Sequence, residues 1–482
     1  MDKSMAVHFI GIGGAGMSGI AKVLLEMGFS VTGSDLKASR YTMSLEDFGA
    51  GIFIGHKAEN IDSPDVVVIS SAIPERNVEL ARARELGIPV LARAEMLAQL
   101  ARRKVAVAVA GTHGKTTTTS MISYILQHSD DDPTYLIGGE LNDIGSNARY
   151  GRGKHCVIEA DESDGSLVHL KPQVVVITNI DADHLDHYGS FEAIETLFSD
   201  WISELPGDGL AIVLGDGSNV QALAGETGKP IVTFGLGDEN DFYAREIIFD
   251  AFDSRFQVYS AKDGLLGELI LKVPGTHNVL NALAATAFCL TAGIEFNQVA
   301  AALINFTGVK RRFQLVGKRQ DIVVIDDYAH HPTEVRATLR AAKSGGWKRV
   351  VCVFQPHRYS RTKFLHHEFG LAFAEADLTV MTDIYSAGEE PMPGVSGKLL
   401  VDAILEASPQ KSVIYLPKKM DIGDYLMSVV RDGDLVLTMG AGDIWMVGDE
   451  LLNHLVDGNG NGNGNGNGRD RAAENLREPK VC

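Results

Sequence analysis

Twice in this 482-residue chain an apolar strand runs straight into a glycine loop and then into a helical pattern. Ala6–Ile10 leads into GIGGAG (residues 11–16), and the run VAVAVA (105–110) leads into GTHGKT (111–116). A helix that starts at a glycine turn presents free N–H groups at one point, which makes it a ready-made anion site. Strands that alternate with helices in this way also pair in parallel, with crossover helices on the sheet faces. Two such units in one chain therefore demand an α/β architecture with two separate phosphate sites.

The loops differ in kind. Gly11, Gly13 and Gly16 form G-x-G-x-x-G, with Gly14 inside it, and Asp35 ends the next strand about twenty residues on. That is the spacing at which an acid reaches a nucleotide ribose, and NAD is one of several ligands it suits. The second loop lacks the leading glycine of G-x-x-x-x-G-K-[ST], because Val109 stands there. Gly111 and Gly114 still permit a tight turn, Lys115 can reach β- and γ-phosphates, and the Thr116 hydroxyl suits Mg²⁺. A chain with two different phosphate loops reads as a ligase or kinase, since a dehydrogenase leaves the second loop and the acids near it unused, and polar residues at several strand ends argue against a non-enzymatic nucleotide-binding regulator.

The strand–helix alternation divides into three segments. The first covers 1–104, the second 105–308 and the third 309–456; an Asn-Gly-rich tail, 457–482, cannot bury a core and is expected to be disordered. The basic stretch 96–104 reads as a helix at the first boundary, and 274–290 as an Asn-capped helix. In all three segments polar residues gather where apolar strands end, which is where open α/β sheets bind ligands. The formal net charge of −19 excludes a basic face for nucleic acid or anionic membrane. Four scattered cysteines with no CxxC pair suit a reducing cytoplasm. The apolar run at the N-terminus is too short for a signal peptide, and no apolar stretch is long enough to cross a bilayer.

Acids gather past two further strands of the second segment. Glu159, Asp161, Glu162 and Asp164 lie in EADESD, and Asp181, Asp183, His184, Asp186 and His187 in DADHLDH. Acidic strand ends beside a phosphate loop are where a divalent cation is held against ATP. In the third segment Asp326, Asp327, Tyr328, His330 and His331 crowd one strand end, and Arg358 and Arg361 follow another, where guanidinium forks suit a carboxylate. Neighbouring histidines on extended chain point apart, so His330 and His331 read as two separate groups.

Taken together, GTHGKTTT, EADESD, TNIDADHLDHYG, GTHNVLNALAA, GVKRRFQ, DDYAHHPTE and QPHRYSRT resemble the Mur ligases, which build the peptide of peptidoglycan precursors. The resemblance runs from residue 5 to about 455. It implies a Rossmann-like domain for a UDP-sugar, a P-loop mononucleotide-binding ATPase domain, and a C-terminal Rossmann-like domain for the amino acid. Gly111, Thr112, His113, Gly114, Lys115, Thr116 and Thr117 would then hold ATP, with His277, Asn278 and Asn281 on adenine and Arg312 and Asp327 on phosphates or ribose. Thr116, Glu159 and His184 would surround two Mg²⁺ ions, with Glu162 a second candidate for the role of Glu159. Gly11, Gly13, Gly14 and Gly16 would hold the UDP diphosphate, with Asp35, His56 and Ser70 or Ser71 around uridine. His330, Arg358 and Arg361 would fix the amino acid. The stretch 188–205 contains no lysine. The branches that add later residues carry a carbamylated lysine there, so its absence points to the alanine-adding branch. The implied partners are UDP-N-acetylmuramate and L-alanine, and the implied catalytic residues are Lys115, Arg312 and His330. The imidazole of His330, titrating near neutral pH, would accept a proton from the amine. A monomer or weak homodimer in the cytoplasm is the expected state.

Overall fold

A computed structural model describes residues 5–70, 72–142, 145–161, 166–181, 188–216 and 227–457. Ser71, Glu162, Asp164, Asp183, His184, Asp186, His187 and the tail 458–482 lie outside the described residues.

Three sheets follow one another along the chain. The first is five-stranded and wholly parallel: Gly51–Ile54, Ser30–Asp35, Ala6–Ile10, Val66–Ile69 and Val90–Ala92, side by side in that order. Its central strand, Ala6–Ile10, is the one that feeds the first glycine loop. The second sheet has ten strands, with Val105–Ala110 between Val174–Ile177 and His155–Glu159. The second loop therefore leaves the sheet interior, flanked by the two strands whose ends carry the acids. The third is six-stranded, and Ile322–Asp327, Asp434–Met439, Arg349–Phe354 and Leu378–Met381 run parallel at its centre.

Local sequence explains these elements. Val107, Val109, Val175 and Val176 are fully buried, as befits parallel strands covered on both faces. The helix Lys115–Gln127 carries four threonines in its first turns, which are poor helix formers, yet all four are buried and the hydroxyls of Thr116, Thr118 and Thr119 are hydrogen-bonded. Thr119 Oγ1 donates to the Lys115 carbonyl at 2.8 Å, and Thr118 Oγ1 to Asn281 Oδ1 at 3.2 Å. Tertiary contacts thus override intrinsic propensity.

Some features depart from the sequence reading. The helix Thr276–Thr291 is capped by Gly275 at φ 103°, a conformation that excludes a β-carbon, so Asn278 lies inside the helix and does not cap it. The helix at the first boundary spans Arg93–Ala101 and stops short of Lys104. Lys104 instead turns its ammonium onto the carbonyls of Gly151 and Gly153, at 2.5 and 2.6 Å, pinning a loop of the second sheet. The antiparallel meander Phe242–Phe249, Ser254–Ser260 and Gly264–Leu271, which extends one edge of the second sheet, has no counterpart in the sequence reading. No helix among the described residues is long and apolar enough to cross a membrane.

Candidate active site

A cleft of about 1270 Å³ is lined by all three parts of the chain. Arg40 and Arg93 come from the first, Lys115, Thr116 and Glu159 from the second, and Arg312, His330, Arg358 and Arg361 from the third.

The second glycine loop forms its floor. Gly111 and Gly114 sit at φ 123° and 82°. A β-carbon on Gly114 would strike the Asn281 side chain, and one on Gly111 would strike Thr178 and the Asn179 backbone. The loop is braced from below: the His113 N–H donates to Asn179 Oδ1, and Asn179 Nδ2 donates to the His113 carbonyl, both at 2.9 Å. Lys115 Nζ curls back onto the Gly111 and Thr112 carbonyls, at 2.7 and 3.3 Å. Thr116 Oγ1 donates to Glu159 Oε1 at 3.0 Å, while the Gly138 N–H donates to Glu159 Oε2 at 2.7 Å. A hydroxyl and a carboxylate side by side at a phosphate loop make an all-oxygen donor set, which suits a hard divalent cation such as Mg²⁺.

Asn278 and Asn281 lie behind this loop, almost fully buried. Asn278 Nδ2 donates to the Pro274 carbonyl at 2.7 Å, and Asn281 packs under Gly114. Asn281 thus braces the loop, and Asn278 Oδ1 accepts from Asn281 Nδ2 at 3.4 Å. His277 is half-buried beside them, and its burial, with Arg312 adding, lowers it to about 4, so it is neutral at pH 7.

The third segment brings its predicted residues to the opposite wall. His330 Nδ1 lies 2.9 Å from the Tyr328 carbonyl. A carbonyl can only accept, so Nδ1 carries the proton and Nε2 presents a lone pair. Burial pushes His330 down to about 3, keeping it neutral. Arg358 adopts φ 71° at the head of the helix Tyr359–Phe364, and Arg361 Nη1 lies 3.4 Å from His357 Nδ1. Burial, with Arg361 and Arg358, lowers His357 to about 4. Asp327 is engaged by the backbone, accepting from the N–H groups of Phe313 and Ala329 at 2.7 Å each, and burial raises it to about 6 despite nearby Arg312.

The first glycine loop follows the central strand of the first sheet, and its Ala15 lines the same cleft. Gly13 N donates to Asp35 Oδ2 at 2.9 Å, and Ser70 stands beside Gly11. His56 Nδ1 is 2.9 Å from Ser34 Oγ, and both meet the buried Glu79 carboxylate. Burial opposes ionisation of Glu79, but His8, Ser34 and Asn60 outweigh it and hold the acid near 2. Gly14 is the N-cap of the helix Ala15–Glu26, and Arg93 Nη1 lies over Gly16.

Sequence reasoning missed three participants. Arg311, passed over in favour of Arg312, lines the cleft as well, but its guanidinium is pinned to Asp326 Oδ2 at 2.8 Å and to the Gly440 and Gly442 carbonyls, whereas Arg312 Nη1 lies 3.9 Å from Glu334. Arg93 carried no motif. Glu334, whose only sequence signal is its place three residues after His331 at a helix start, meets groups from both the second and third segments. His113, Asp181 and His331 bring ligand-type atoms within 4.8 Å of one another. A cation fits there poorly, because His331 Nδ1 accepts from the Thr333 N–H, which puts the ring proton on Nε2. Burial alone would lower His113, but Asp181 and Glu334 outweigh it and raise it to about 9. An imidazolium between two carboxylates describes this group better.

Three family models match in succession: "Mur ligase family, catalytic domain" over 6–105, "Mur ligase middle domain" over 109–289, and "Mur ligase, glutamate ligase domain" over 311–442. The chain belongs to the Mur ligase family. It is 50% identical over 453 residues to a UDP-N-acetylmuramate–L-alanine ligase of Geotalea uraniireducens, covering 94% of this chain and 98% of the relative. Among solved structures it is similar to a UDP-N-acetylmuramate–alanine ligase of Thermotoga maritima, at 32% identity and a TM-score of 0.80, covering 94% of this chain and all of the other. A murein peptide ligase of Psychrobacter arcticus matches at 27% identity and a TM-score of 0.69, covering 94% and 99%. The three-domain α/β architecture of the Mur ligases is thereby the architecture of this chain.

Proposed function

We propose that this Mur ligase is the ATP-dependent enzyme that joins L-alanine to the carboxylate of UDP-N-acetylmuramate, the first amino-acid addition in peptidoglycan precursor synthesis. The observation that carries the reading is one cleft in which an ATP-type loop faces two arginines and a neutral histidine from the third sheet. The 50% identity to alanine ligases along nearly the whole chain supports the choice of substrate. We read 1–104 as the UDP-sugar domain, 105–308 as the ATP domain and 309–456 as the amino-acid domain.

In this mechanism the glycine loop at 11–16 and Asp35 hold the UDP moiety, which places the muramate carboxylate in the cleft. Lys115 leaves the loop carbonyls for the β- and γ-phosphates. A carboxylate oxygen attacks the γ-phosphorus, the bond to the β-bridging oxygen breaks, and ADP is the leaving group. Lys115 and Arg312 stabilise the charge on the transferring phosphoryl group. Thr116 and Glu159, with His184, are the residues that would hold Mg²⁺, which when bound cancels phosphate charge. Arg358 and Arg361 fix the alanine carboxylate, and His330 Nε2 accepts a hydrogen bond from the amine. The amine nitrogen attacks the acyl carbon, the carbon–oxygen bond to phosphate breaks, and the amine proton leaves. With its pKa near 3, His330 orients the amine and passes the proton on to phosphate or solvent rather than keeping it. All of these residues belong to one chain, so a monomer or weak homodimer in the cytoplasm suffices.

Oxygen-18 in the muramate carboxylate tests the route. One labelled oxygen should appear in the released phosphate. Unlabelled phosphate alongside ligated product would overturn the acyl-phosphate step.

A further inference from the structure

The side chain that joins the ATP loop to the amino-acid wall is Glu334, on the helix Pro332–Ser344 of the third domain. Its Oε1 lies 3.3 Å from His113 Nδ1, inside the ATP loop of the second domain, and 3.9 Å from Arg312 Nη1. Its Oε2 accepts the His330 N–H at 3.1 Å and lies 3.6 Å from His330 Nδ1. Two further contacts cross the same boundary: Thr333 Oγ1 donates to Asp181 Oδ2 at 2.9 Å, and the rings of His113 and His331 lie 5.0 Å apart. One carboxylate thus touches the loop that holds ATP, an arginine that faces the phosphates, and the histidine that faces the amine.

We propose that Glu334 is a positioning residue that couples the two half-reactions, holding the ATP loop, Arg312 and His330 in one register. The inference rests on the reading of the chain as an ATP-dependent ligase. A carboxylate so near a polyanion site repels phosphate unless fixed cations neutralise its charge, and here the His113 imidazolium and Arg312 do so: burial opposes ionisation of Glu334, but the groups around it hold it well below the usual carboxylate range. Arriving phosphates compete with Glu334 for Arg312, while His113 keeps the loop bound to the third domain. Binding of ATP is thereby communicated to His330 through a single side chain, which has two ends and contacts a different partner with each.

Glu334→Gln keeps the size and one acceptor oxygen while removing the charge and the second acceptor, so loss of function with an unchanged melting temperature separates positioning from packing. The wild-type enzyme is first checked for phosphate release that needs both UDP-N-acetylmuramate and L-alanine; failure there removes the functional reading, not this inference alone. Glu334→Gln is expected to lower kcat by about twentyfold or more while the KM for UDP-N-acetylmuramate stays within about twofold. His113→Gln should show a similar kcat, and the double variant should fall no more than about threefold below the worse single variant, because both break one link. Multiplicative losses in the double variant, or a Glu334→Gln enzyme with wild-type kcat, would overturn the proposal. If Glu334→Gln fails to fold, the cycle is run with Thr333→Val and His113→Gln across the same boundary; independent effects there would likewise overturn it.

Discussion

The two glycine loops of this chain share a strand–turn–helix plan and differ in what they do with charge. In the first, Gly13 N–H already has a carboxylate partner, Asp35, and the loop itself contains no cation. Its positive potential comes from the N-terminus of the helix Ala15–Glu26 and from Arg93 lying over Gly16. In the second, Lys115 is part of the loop, Thr116 bonds Glu159, and His113 is tied to a neighbouring domain. A diphosphate that is only held needs donors of fixed geometry. A phosphoryl group that is transferred needs charge that moves with it, and in the proposed mechanism Lys115 leaves the Gly111 and Thr112 carbonyls to supply it.

Four changes would break or sharpen the contrast. The largest effect should come from Lys115→Ala, which removes the moving charge: kcat should fall by about 10²–10³-fold, read by phosphate release, with UDP-sugar affinity unchanged. Next, Gly114→Ala forces a β-carbon into a left-handed position against Asn281. It should raise the KM for ATP by roughly tenfold to a hundredfold and leave the KM for UDP-N-acetylmuramate alone. Gly13→Ala is its mirror: a β-carbon there lies 2.8 Å from Asp35 Oδ2, so the UDP-sugar KM should rise by roughly tenfold and that for ATP should stay put. Equal effects of either variant on both substrates would contradict the division of labour between the loops.

The smallest effect concerns pH. The pKa of His113 in the folded chain, about 9, lies above its ordinary value of 6.5. Its pairing with Asp181 and Glu334 therefore contributes fully below about pH 6.5 and is lost as pH rises through about 9. Hydrogen exchange in the segment 332–344 should quicken across that window once intrinsic rates are divided out, with no matching change in the helix Ala15–Glu26. Uniform quickening would show that the clasp does not hold that helix.

Much of this was legible in the sequence because phosphate chemistry needs particular residues at close spacing. Gly111, Gly114, Lys115 and Thr116 fall within six positions, and Asp35 ends the strand that follows the first loop. What could not be read depends on distant parts of the chain. Both Arg311 and Arg312 line the cleft, and the carbonyls that engage the Arg311 guanidinium, those of Gly440 and Gly442, lie far along the sequence. Asn281 lies 167 residues from Gly114, the glycine it braces. Glu334 looks like an ordinary helix-start acid until the second domain is folded against it. In the meander at 242–271, FYAREIIF lacks clean two-residue alternation and bulges between Arg245 and Ile248, which hides the first strand although SRFQVYS alternates cleanly.

The central claim is that the two loops bind two different nucleotides for one ligation. Phosphate release measured with ATP and Mg²⁺ tests it most directly, with UDP-N-acetylmuramate and L-alanine supplied separately and together. Steady release is expected only when both are present, with one phosphate per alanine joined. Steady release without alanine or without the UDP-sugar, or ligation without ATP, would contradict it.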